Sequence, residues 1–190
     1  IAEAVLPATT FSIVYAVTSE AVYAVGGAAG LSLIFILARL VRRQSLQQAV
    51  IGGLAIALAA FLALRDGGQA ADYFLPGFFT NAAYGFAFLL SVLIRRPLMG
   101  YAAQLLFGLQ GWRESGQYKR LRLVTIIWVG FFAARLAVQV PLYLANEVEL
   151  LAASRVVMGA PAYAGLLALT WIMLKRIARD AQGKLEAENK

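Results

Sequence analysis

The sequence predicts an all-α fold, a polytopic bundle of transmembrane helices with one cytoplasmic interfacial helix, on the strength of three observations. First, 61% of the residues are hydrophobic, only 14% are charged, and the mean hydropathy is +0.72. Soluble domains carry about a quarter charged residues, and a water-facing chain of this size could not hide so much apolar surface. Second, the apolar residues come in runs close to the ~20 residues that cross a bilayer as a helix. Third, the basic residues segregate to one side of those runs.

Taken in order, residues 4–18 form the shortest apolar run, with Pro7, Thr9, Thr10 and Ser12 inside it. It reads as a short span, with a re-entrant or tilted segment as the alternative, so the expectation is six spans, or five plus that segment. Residues 21–41 form a clear span that holds Gly26 and Gly30. A GxxxG pair lets helices approach closely, serving internal packing or dimerisation. Residues 49–64 are shorter but uncharged, and residues 73–94, 123–144 and 150–174 are clear spans. The spans make one transmembrane domain over residues 1–175, followed by a charged tail at 176–190, helical or disordered. Leu6-Pro7 with Tyr15 and Leu75-Pro76 with Tyr84 hint at an inverted internal repeat. No cleavable-signal pattern opens the chain, and Ile1 is expected to follow a lost leader or tag.

The stretch 97–112 is too short and too interrupted to span. Leu98, Met99, Ala102, Leu105, Leu106 and Leu109 share one helical face. Pro97 suits a first helical turn. Arg95, Arg96, Trp112 and Arg113 flank the stretch as interfacial anchors. An amphipathic helix in the cytoplasmic interface is expected, with simple packing over the bundle as the alternative.

With six spans, one side receives 13 basic residues and the other Arg65 alone, beside Glu20, Asp66, Asp72, Glu147 and Glu149. The positive-inside rule then puts both termini in the cytoplasm. The same distribution accounts for the net charge of +7 without nucleic acid as a partner. The expected partners are the bilayer, with anionic lipids at the cytoplasmic face, and other membrane proteins or a second copy of the chain.

Arg39, Arg135 and Arg155 fall within the spans. A charge at that depth is costly and usually faces a bundle interior or a pathway. Arg135 lies roughly 15 Å from the outer end of its helix at 1.5 Å per residue, near the midplane. Gln139 is one turn further on the same face. Asn81, Tyr15 and Tyr84 could join them if the helices converge. No span carries a carboxylate in its middle. Arg135 is therefore held either by a neutral network of Gln139, Asn81 and carbonyl oxygens or by an external anion, to which guanidinium offers bidentate contacts. Arg155 lies near the outer interface, where Glu147 or Glu149 is the expected partner.

Cysteine and histidine are absent, which excludes disulfides, Cys/His metal sites, histidine-ligated haem and Ser-His-Asp or Cys-His catalysis. No lysine lies in a span, no P-loop occurs, and no paired carboxylates or metal-ligand spacings appear. No enzyme activity, metal or cofactor is expected.

Several segments carry a resemblance. They are Leu6-Pro7 with Phe11 and Tyr15, Arg95-Arg96-Pro97-Leu98-Met99 through Phe107-Gly108, Leu121-Arg122-Leu123 with Trp128 and Phe131-Phe132, and Arg155 to Gly159. Over roughly residues 5–177 this layout resembles the intracellular septation protein A family of small bacterial inner-membrane proteins. It is more closely similar to an actinobacterial integral-membrane family of unknown function. The resemblance implies a role in envelope synthesis or cell-division organisation through contacts with other membrane proteins, and no chemistry. Arg135 with Gln139 and Pro141 looks characteristic of the actinobacterial group. The competing expectation is a small transporter or channel for an anionic solute or lipid, with Arg135 at its site.

Overall fold

In a computed structural model, residues 2–41, 54, 57–65, 69–113 and 116–188 are described. Among them every regular element is helical: α1 (Ala2–Thr18), α2 (Ala21–Val41), α3 (residues 57–64), a 3-10 turn (Ala70–Phe74) running into α4 (Leu75–Leu93), α5 (Leu98–Phe107), α6 (Tyr118–Leu144), α7 (Val148–Val157) and α8 (Ala160–Glu188). Long apolar runs favour this outcome, because in lipid each backbone N–H and C=O must be satisfied within its own segment.

Four stretches of the described residues are long and apolar enough to cross a membrane: Ala21–Ala38, Ala70–Leu93, Tyr118–Leu144 and Val148–Gly183. Only 11–28% of the residues in those stretches are buried within the protein. Their exposed sides carry Leu33, Ile34, Phe86, Leu93, Leu167 and Ile172, a surface suited to lipid.

Among the described residues, four of the six expected spans are thus met by length and apolarity. The first expected span is α1, apolar but 17 residues long, with Pro7 inside it. The third falls partly outside the described residues, which show its second half, 57–64, as helix. The last is broken: α7 ends at Val157 and α8 begins at Ala160. A Cβ on Gly159 would stand 2.5 Å from the Arg155 carbonyl oxygen, so the chain turns there in a space that only glycine fits. Residues 176–188 continue α8 as helix.

The helices fall into two compact units, Ile1–Thr80 with Ala137–Pro161 and Asn81–Leu136 with Ala162–Lys190. In the first, α1 and α2 form a helical hairpin turned at Ser19, whose φ is 54°. Gly27 sits under Thr10 and Val14, where a Cβ would be 3.4 Å from each. Phe11, Ala24, Val25 and Ala28 pack there with Tyr73, Phe74 and Leu151. Gly26 and Gly30 face outward instead, with nothing within 4 Å of a Cβ on either, so Gly27 is the packing glycine of this hairpin.

In the second unit, Trp128, Phe132, Leu166 and Leu174 form the core with Met99, Leu109 and Trp112. Burial recurs along two helices in the same i, i+1, i+4, i+8 register: Ala24, Val25, Ala28 and Ser32 on α2, and Val124, Thr125, Trp128 and Phe132 on α6. Small residues fill it in the first unit and bulky ones in the second, which sets how closely each helix can be approached. Trp128 Nε1 donates to Thr170 Oγ1 at 3.0 Å, satisfying the indole inside an apolar core.

α5 is tied down rather than loosely laid over the unit. The Met99 amide donates to Thr125 Oγ1 at 3.4 Å, and Gly108, with φ 65°, closes the helix by donating its amide to the Gln104 carbonyl. Met99 and Leu109 are buried and Ala102 half-buried, whereas Leu98, Leu105 and Leu106 point outward. The predicted single apolar face is therefore split between core and surface. Trp112 is 2% exposed, with its indole against Gly100, and is a core residue instead of a headgroup anchor.

Candidate functional site

Arg135 is seated by aromatic rings in the second unit. Its guanidinium carbon lies 5.1 Å from the Tyr163 ring centroid and 5.8 Å from that of Phe131. Phe131 is one turn earlier on α6 and meets Tyr163 of α8 edge-on at 4.9 Å. Ring faces carry negative quadrupole density and attract the cation without a carboxylate. Arg135 Nε is buried with no hydrogen-bond partner among the described residues.

Asn81 approaches the same stretch of α6. It is 5% exposed, and its Nδ2 donates to the Phe132 carbonyl at 3.4 Å. Its Oδ1 is buried without a partner among the described residues. Phe132 can sit this close to α4 because Gly85 has no side chain; a Cβ there would be 3.0 Å from Phe132 Cβ. Tyr84 stacks on Phe132 with centroids 6.0 Å apart. The second unit therefore brings Arg135, Asn81 and Tyr84 around Phe131 and Phe132.

The other predicted ligand-binding residues, Gln139, Tyr15 and Arg155, belong to the first unit. Gln139 is 3% exposed, and its Nε2 has no partner among the described residues. Tyr15 stacks on Phe11, centroids 6.0 Å apart, and Phe11 stacks on Tyr73 at 4.0 Å. Arg155 lies over Phe74 at 5.2 Å, its guanidinium filling the space that a Cβ on Gly77 would occupy, 2.7 Å from Nη2. Glu149 and Glu147 are six and eight residues earlier, about 9 and 12 Å along the helix axis.

Sequence reasoning missed Asp72, which it assigned to an outer loop. Asp72 is 4% exposed: Tyr143 Oη donates to its Oδ1 at 2.7 Å, and the Gln69 amide donates to Oδ2 at 3.1 Å. Arg65 Nη2 stands 3.8 Å away. The available signal was the Gln69-x-x-Asp72 spacing, in which an acidic side chain three residues on reaches back to the cap amide at a helix start. Arg95, Arg96 and Arg113 are exposed. Arg113 donates to Tyr101 Oη and lies 5.4 Å from the ring centroids of both Tyr101 and Trp112. Among the described residues no three acidic side chains converge as metal ligands would.

Long apolar helices, outward aliphatic faces and charges compensated by rings together define a helical membrane protein. The chain belongs to a family described as proteins of unknown function, DUF3159, whose model matches residues 1–181. No curated protein and no solved structure matches it.

Proposed function

We propose that this protein acts in the bacterial cytoplasmic membrane by binding rather than catalysis, and that Arg135 receives the anionic group of a solute or lipid that it transports or conducts. The supporting observation is the buried Arg135 Nε, which has no acceptor among the described residues, where the cation meets the rings of Phe131 and Tyr163. A donor left unmade in a low-dielectric setting costs about 1–3 kcal/mol, which an oxyanion would recover. The test is complementation and anion uptake into proteoliposomes by Arg135→Gln and Arg135→Lys. Both variants should fold and lose uptake. Normal function of a stably folded Arg135→Gln protein would sink this reading.

A second reading is a scaffold for envelope synthesis or cell division, the role implied by the septation-protein resemblance. Gly26 and Gly30 favour it, since they lie open on an outward side of α2 where a partner helix or a second copy could approach closely. Gly26→Leu with Gly30→Leu should then abolish function while leaving anion uptake intact. In either reading the topology is six crossings with both termini cytoplasmic. A single cysteine at Gln69 should be labelled only from the periplasmic side; labelling only from the cytoplasm reverses the orientation.

A further inference from the structure

The α5 end of the second unit gathers an apolar stripe and a field of cations. Leu98, Tyr101 and Leu105 follow one another at i, i+3 and i+7 on α5 and are 37%, 41% and 86% exposed. They lie opposite Met99 and Ala103, which face the core. At ten residues α5 is about 15 Å long, half of what a crossing needs. Around it stand Arg95 and Arg96 at the end of α4, Arg113 after α5, and Lys119 and Arg122 at the start of α6, all exposed. The Arg120–Asp180 ion pair brings α8 to the start of α6, and with it the exposed Lys175, Arg176 and Arg179. Asp180, the carboxylate placed among them, is already engaged by Arg120.

We propose that this end of the protein is a docking surface for acidic phospholipid, with the α5 stripe among the acyl chains and the flanking arginines on the phosphates. Two observations select that occupant. The stripe is aliphatic and aromatic, which suits hydrocarbon, and the cations rim it at the level of headgroups. The cations are exposed and outnumber Asp180, the described carboxylate among them, so the surface is complementary to an anionic one and not to a zwitterionic one. Trp112 wedged against Gly100 fixes the far end of the α5 turn, so the stripe is presented by a preorganised element.

The positive-inside rule offers a rival account, in which these residues only orient the chain during insertion. Purified full-length protein in detergent separates the two, because orientation has no meaning there. Native mass spectrometry with added phosphatidylglycerol or phosphatidylcholine of matched chains should show phosphatidylglycerol retained preferentially. Arg95→Gln with Arg96→Gln should weaken that retention about 25-fold, at about fivefold per basic residue. Arg95→Lys with Arg96→Lys should keep it, which controls for folding. Leu105→Asn, at an open position, should weaken retention of both lipids. Equal retention of the two lipids by the wild type overturns the proposal, as does an unchanged preference in the Gln variant. Displacement of bound lipid by a nucleic-acid duplex held in its place overturns it as well.

Discussion

Replacing Arg135 by methionine removes the charge and keeps a flexible stem of similar reach. An arginine inside a membrane helix costs about 2.5–3.5 kcal/mol by insertion scales. Two ring contacts, at 5.1 and 5.8 Å, return about 1 kcal/mol each. The unpartnered Nε returns nothing. The balance predicts that Arg135→Met raises stability by about 1 kcal/mol, or roughly 2–4 °C in the midpoint for a chain of this length. Thermal unfolding of the purified protein in detergent, followed by circular dichroism, reads this directly. The same assay reports the ligand: an anion that binds the folded state should raise the wild-type midpoint with concentration and leave the methionine variant unmoved. A residue kept at a cost to stability is what a binding role requires. A loss of about 2 kcal/mol or more in Arg135→Met would refute the reasoning, since it would mean that the guanidinium holds the helices together.

Further outcomes test the packing that positions these groups. Gly100→Ala puts a Cβ 2.5 Å from two carbons of the Trp112 indole, and overpacking of that kind should cost about 1–3 kcal/mol. Trp112→Phe removes the clashing atoms, so the double variant should melt above Gly100→Ala alone. Tyr143→Phe removes one donor to the buried Asp72 and should cost about 1.5–3 kcal/mol in the same assay, with Asp72→Asn showing no added loss on that background. Thr170→Val deprives Trp128 Nε1 of its acceptor and should lower stability by about 1–3 kcal/mol, with a change in tryptophan emission.

Legibility varied from residue to residue. Apolar length announced α2, α4 and α6, because a helix closes its hydrogen bonds within its own segment. The break at Met158-Gly159 was hidden, since it interrupts an apolar run without altering its hydropathy. For α5 the sequence showed a face, but not that Met99 and Leu109 would turn inward while Leu105 stayed out. Burial of Trp112 depends on Gly100, twelve residues away, leaving a slot of the right size. Arg135 stood out at once as an expensive charge, and Phe131 at i−4 was visible beside it. Tyr163 was not, because it comes from α8.

The sequence by itself determined that the chain is helical, that its solvent is largely lipid, and that arginines within the spans, Arg135 and Arg155 among them, needed compensation. Those conclusions follow from composition and from interactions local along the chain. Only the tertiary structure decided what meets those charges: Phe131 and Tyr163 for Arg135, Phe74 and the space over Gly77 for Arg155. The reason is physical. A buried cation is balanced by whatever group packing brings within about 6 Å, and those groups come from helices far apart in sequence.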